Sequence, residues 1–227
     1  MKCYLSFFLY VAAVHAQGGF PAGDEVLRYD VKLAGGTAIG TATFEAARVK
    51  GSPATWHFRV HTNFSLPGIP VEDTFRSLSA GFCSAEFEKD SVHGSKKSGE
   101  IIVFHPDKGK AMRTTKGGGV SDIAASPCSK DPVNVLYYTR SELSKGRKPF
   151  NGTTIFGAAY TVRMSSPDKT KIKVQGRDQQ TDRVAGSYSG PKSKGDFEIF
   201  FARDQARTPL LYRIPLAFGN ITLELKP

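Results

Sequence analysis

The feature that most constrains this chain is a two-residue alternation of apolar and polar side chains. In "EVLRYDVKL", Leu27, Tyr29, Val31 and Leu33 fall on one side while Arg28, Asp30 and Lys32 fall on the other. Successive strand side chains point to opposite faces, so this segment has one dry face as a strand and no coherent face as a helix. Gly35 and Gly36, free to take positive φ, suit a tight hairpin, and "AIGTATFEAARV" then resumes the pattern. In "ATWHFRVHT" the residues Trp56, Phe58 and Val60 oppose His57, Arg59 and His61. "VEDTFRSLSA", "FCSAEFEKD", "GEIIVFH" and "KAMRTT" continue it, as do "AYTVRM", "KIKVQG", "RVAGSYS", "DFEIFFAR", "LLYRIPLA" and "NITLEL". Glycine, proline, serine and lysine clusters separate them, which reads as about a dozen short strands at near-regular spacing. The expectation is an all-β fold, an antiparallel meander forming a barrel or strongly curled sheet, because curling removes exposed edges. "TKGGGVSD" and "SELSKGRKPFNGTT" read as long loops.

One segment breaks the pattern. In "DPVNVLYYTRSELSKG", Asp131 can cap a helix, Pro132 fits the first helical position, and Val133, Leu136, Tyr137, Arg140 and Leu143 follow at helical spacing. So short a helix is unstable alone in water, so it must pack on the sheet or cover one end of the barrel, over about residues 131–143. Tyr137, Tyr138 and Arg140 are thereby candidates for a ligand pocket at the barrel mouth. Asp73 and Arg76, three apart on a strand and so on opposite faces, are candidates as well, each expected to pair with other residues.

The first sixteen residues read as a secretory signal peptide: Lys2, the short apolar run "YLSFFLYVAAV", then "VHA" with cleavage expected after Ala16. The remainder, residues 17–227, is expected to form a single β domain without a transmembrane segment, in the periplasm or secreted. Its cysteines are Cys83 and Cys128. In an oxidising compartment a bridge between them is the default, worth roughly 4 kcal/mol by loop closure, with two buried thiols as the alternative. The formal net charge of +10 includes Lys2. A chain so basic is drawn to anionic surfaces, which outside the cytoplasm are lipid head groups, lipopolysaccharide and acidic glycans and not nucleic acid, or else its charge serves solubility alone.

Taken together, "EVLRYDV" with "GTAIGTAT" behind it, "DTFRS", "FCSAEFEKD", "DPVNVLYYTR" and the ending "GNITLEL" resemble a bacterial family known only as domain of unknown function 3108. "DTFRS" with "DPVNVLYYTR" carries most of the resemblance, which spans nearly all of the chain beyond the leader. It implies an exported β-barrel-like protein of the bacterial envelope and brings no catalytic residues. In bacteria the sequons at Asn63, Asn151 and Asn220 carry no meaning as glycan sites.

The chemistry-bearing residues do not assemble into an active-site pattern. "SLSAG" lacks the first glycine of a nucleophile elbow and no strand-to-helix turn surrounds it. His57 and His61 would stand about 13 Å apart on a strand, too far to share an ion, and His93 and His105 have no accompanying ligand set, so no metal is expected. Glu86, Glu88 and Asp90 share a face opposite Phe87, as a solvated outer face would. "KGGG" lacks the phosphate-loop spacing. Lys96, Lys97, Lys108, Lys110, Arg113 and Lys116 bracket one apolar strand and form a candidate anionic-surface patch, or else a solvated edge.

The reading that follows is a non-catalytic, cofactor-free periplasmic binding protein for a hydrophobic or amphiphilic ligand such as a lipid or lipid-linked glycan. Its rivals are an envelope assembly factor that binds a protein or glycan partner, and a hydrolase of envelope polymers.

Overall fold

The computed structural model describes residues 23–66, 68–216 and 219–227; the signal-peptide reading falls outside them. The first half of the chain is one run of hairpins: β1 (Glu25–Leu33), β2 (Ala38–Val49), β3 (Ser52–Leu66), β4 (Ile69–Ala80), β5 (Cys83–His93), β6 (Lys96–His105), β7 (Lys110–Thr115) and β8 (Val120–Ala124). The helix α1 (Pro132–Ser144) follows, and then β9 (Gly152–Ile155), β10 (Ala159–Met164), β11 (Asp168–Val174), β12 (Arg177–Ser189), β13 (Lys194–Ala202), β14 (Pro209–Leu216) and β15 (Gly219–Leu225).

Fourteen strands pair side by side in the order β8 to β1, then β15, β14, β13, β12, β10 and β9, while β11 pairs with β12. Every named pairing is antiparallel, so the sheet curls into a nearly closed barrel. Register puts the alternating apolar rows inside: Tyr29 and Val31, Ala42 and Phe44, Trp56, Phe58 and Val60 are all buried. A one-residue slip would turn each row outward, which is why the pattern specifies the pairing so firmly. β10 and β11 lie on the same edge of β12, against Gly186–Ser189 and Arg177–Arg183 respectively, as one strand interrupted at residues 165–167. Pro167, lacking a backbone donor, suits that break.

Two predicted loops contain strands. β8 begins within "TKGGGVSD" and β9 within "SELSKGRKPFNGTT", each running past its end. Both are short and form the two ends of the sheet, β8 paired with β7 alone and β9 paired with β10 and bridged by Lys130, so neither is long enough to show an alternation.

The gap between those ends is treated differently at its two extremities. Where α1 begins, residues 128–131 bridge it: Ser84 N–H donates to the Ser129 carbonyl, and Ile155 N–H to that of Lys130. The Cys83–Cys128 disulfide ties the same bridge to the start of β5, with the Cα atoms 4.6 Å apart. Toward the opposite end, among the described residues, side chains and not backbone bonds span the gap.

Candidate functional site

α1 is buried on nearly every side, with all of residues 133–137 and 139–143 buried. A helix set that deep needs its terminal donors satisfied internally. Asp131 does this: its Oδ1 accepts from the Val133 and Asn134 N–H groups at 2.9 Å, and its Oδ2 accepts from Ser77 and Ser84 Oγ at 2.6 Å. Burial pushes this carboxyl above the ordinary value, against the pull of those four donors. At the other side of the barrel end the Arg140 guanidinium meets Glu25 through two bonds, of 2.6 and 2.9 Å.

Beneath α1 the barrel is not filled. A cavity of about 400 Å³ is walled by Phe44, Val60, Phe75, Ile199 and Tyr212 and roofed by Val133 and Leu136 of the helix. Its size falls among small-molecule sites, which run from about 300 Å³ upward. Apart from three tyrosines its lining carries no ionisable side chain, and Thr154 and Ser193 are its other hydroxyls. Aromatic rings lead outward in a chain from Phe75 to Phe156, Tyr160 and Tyr188, with centroids 6.0, 6.4 and 6.2 Å apart. Ser193, on the exposed turn between β12 and β13, marks the mouth, at the end away from the helix.

Glycines let those rings lie flat on backbone. A Cβ on Gly190 would come within 2.3 Å of the Tyr160 ring, and one on Gly186 within 2.2 Å of Phe197.

A second hollow of about 720 Å³ adjoins the first, sharing Phe156 and Tyr160, and occupies the open part of the gap. Its chemistry is opposite: Lys89, Lys97, Arg113, Lys116 and Lys192 line it, with Glu100. Arg113 bonds Glu100 at 2.6 Å, and Lys116 pairs with Asp90. Lys89 lies 4.8 Å from the centre of the Phe156 ring, a cation–π contact. Lys97 and Lys192 have no carboxylate partner among the described residues. Gly157, at φ +66°, brings the β9–β10 turn against Glu100, where a Cβ would meet Oε1 at 2.8 Å.

None of the five ligand-binding candidates drawn from sequence lines the apolar cavity. Tyr137 is buried and stacks on Phe58 at 4.1 Å, and Arg140 is held by Glu25. Tyr138 faces the other way, 5.9 Å from Phe82 and 4.5 Å from the Lys130 ammonium. Asp73 pairs with His93 at 3.0 Å, and Arg76 bridges Glu88 and Asp90 on the outer wall, each at 3.0 Å. The helix turns a different stripe, Val133 and Leu136, to the cavity, because both of its flanks are packed. The basic cluster also divides: Lys97, Arg113 and Lys116 reach the polar hollow with Lys96 beside them. Lys108 and Lys110 stand at the far end of the β6–β7 hairpin, where Lys110 bonds Asp122 at 2.7 Å.

The residues that sequence reasoning passed over are Phe156, Tyr160, Tyr188 and Phe197. The available signal was the glycine inside "RVAGSYSG", since a strand glycine often marks close approach of another group. Among the described residues no cluster of three or more His, Cys, Asp or Glu could hold a metal ion, and no helix is long and apolar enough to cross a membrane.

A family model described as "Protein of unknown function (DUF3108)" matches residues 28–226. No curated protein matches the sequence. Among solved structures, a β-barrel-like protein of domain of unknown function DUF1849 from Brucella abortus superposes with a TM-score of 0.61, covering 88% of this chain and 94% of its own at 10% identity. At that identity the likeness is one of fold.

Proposed function

The chain belongs to the DUF3108 family of proteins of unknown function, and we propose that it is an exported, single-domain envelope protein, residues 17–227, that binds an amphiphile. The apolar part of the ligand occupies the space under α1, and its anionic head lies in the basic hollow. The observation that carries this is the pairing of two adjoining spaces of opposite chemistry: an apolar cavity without a fixed charge, and beside it a hollow with five cations and one carboxylate. An apolar chain gains roughly 0.8 kcal/mol per buried methylene, and an anionic head is attracted to Lys97 and Lys192, which no carboxylate among the described residues neutralises. The disulfide accords with an oxidising compartment.

The cavity lining argues against the hydrolase reading, since a polymer hydrolase needs convergent polar groups where this wall presents rings and aliphatic chains. Native mass spectrometry of gently purified protein, joined to displacement binding of saturated fatty acids of increasing length, tests the proposal. Each two-carbon extension is expected to tighten binding about tenfold until the cavity is full. A protein that is always ligand-free and indifferent to chain length is not a carrier of this kind.

A further inference from the structure

The end of the barrel that carries the mouth is built from hairpins of two kinds. Six large apolar side chains are exposed among the described residues, and four of them, Ile69, Val120, Ile214 and Leu216, stand on turns or strand ends at this one end. Ile69 shares strand parity with the inward-facing Val71 and Phe75, and Ile214 and Leu216 share it with Tyr212. The dry inner rows thus run out past the mouth into solvent, which a closed core would not require.

Sheet order sets out the rim. The β14–β15, β1–β2 and β3–β4 hairpins are adjacent and carry Ile214, Leu216 and Ile69, with bare Ala34, Gly35 and Gly36 between Leu216 and Ile69, while Val120 stands apart on β7–β8. The hairpins on either side bear exposed lysines, Lys96 and Lys97 on one and Lys192 and Lys194 on the other. Exposed carboxylates near this rim are Glu72 and Asp196, with Asp90 already paired to Lys116.

From this arrangement we infer that the open rim docks on an anionic lipid bilayer, the apolar tips entering the interface and the flanking lysines meeting head groups. This rests on the carrier reading and names where the ligand is collected: the docked mouth opens onto the acyl layer, so a lipid tail passes into the cavity without crossing bulk water. The bilayer is preferred to a protein partner because exposed lysines outnumber exposed carboxylates at this rim and flank Ile69, Ile214 and Leu216 on both sides, matching a plane of anionic groups over an apolar layer.

The test is flotation of the full chain with phosphatidylcholine vesicles, with and without phosphatidylglycerol. Binding is expected only to the anionic vesicles and is weakened by salt. At roughly fivefold per lysine, Lys96→Ala with Lys97→Ala, or Lys192→Ala with Lys194→Ala, weakens it about 25-fold. Ile69→Ser with Leu216→Ser also releases the protein. Lys50→Ala with Lys108→Ala, an equal charge change at the helix end, leaves binding within about twofold. Equal loss in that control, equal binding to neutral vesicles, or a rim-dependent dimer in sedimentation overturns the inference. Uptake of a fatty acid from solution is measured in the same variants. Uptake without vesicle binding defeats docking alone, whereas vesicle binding without uptake defeats the carrier reading and leaves docking in place.

Discussion

Replacing Arg140 by methionine tests whether this arginine belongs to the frame or to a ligand site. Its side chain is 1% exposed and its Glu25 partner 19% exposed. Burial, the strongest influence on the guanidinium, works against its charge, but the Glu25 bonds outweigh it and hold the pKa above the ordinary value. Removing one partner of such a pair costs about 3–5 kcal/mol, mostly because the other charge is stranded. Glu25 can recover some water through its exposed fifth, so the lower end applies, about 3 kcal/mol or about 6–12 °C in Tm for a chain of this size. Adding Glu25→Leu removes the stranded carboxylate, and the double variant should return to within about 1 kcal/mol of the parent. Urea unfolding with the disulfide intact, followed by the single Trp56 and by circular dichroism, reads both. A loss under about 1 kcal/mol for Arg140→Met, or a double variant no better than the single, would refute the reasoning. Fatty-acid affinity in the double variant should stay within about twofold, since Arg140 does not reach the cavity.

Asp131→Ala strips the helix of its cap and leaves two buried serine hydroxyls without an acceptor, so urea unfolding should report a loss of about 3–4 kcal/mol; Asp131→Asn, which keeps an acceptor for the helix N–H groups, should lose about half of that. Asp90 is held below the ordinary carboxylate value chiefly by its bond to Lys116, and then by Arg76. A lowered folded-state pKa means that its contribution is present above the unfolded value and is lost as pH falls through the folded one. Lys116 is 56% exposed, so that contribution should stay under about 1 kcal/mol and fade in high salt. Carbon NMR of the Asp90 carboxyl should show its titration moving upward in Lys116→Met.

The barrel was legible because its walls are written with period two over long stretches. Leu27, Tyr29, Val31 and Leu33 state a dry face without reference to any distant residue, and Asp131 with Pro132 states a helix start in the same local way. β8 and β9 were illegible for the converse reason: at five and four residues, "VSDIA" and "GTTI" are too short to state a period of two. The site was harder still. Arg140 stands on the apolar stripe of α1, and nothing within the helix says that Glu25, 115 residues away, claims it. Phe156 and Tyr160 gain their place from a gap between two strand edges that exists only once the sheet has closed.

The cavity and the cap on α1 are two parts of one arrangement. Apolar side chains that wall an open cavity instead of packing on one another forgo the dispersion contacts of a filled core. A chain selected for folding alone would let the helix settle deeper and fill the space. The four bonds on Asp131 and the pair on Arg140 hold both ends of the helix at the barrel rim instead, against the collapse that apolar burial favours. Their positions keep the roof raised above the cavity, and under the carrier reading proposed above the contacts that the core forgoes are those a ligand would make.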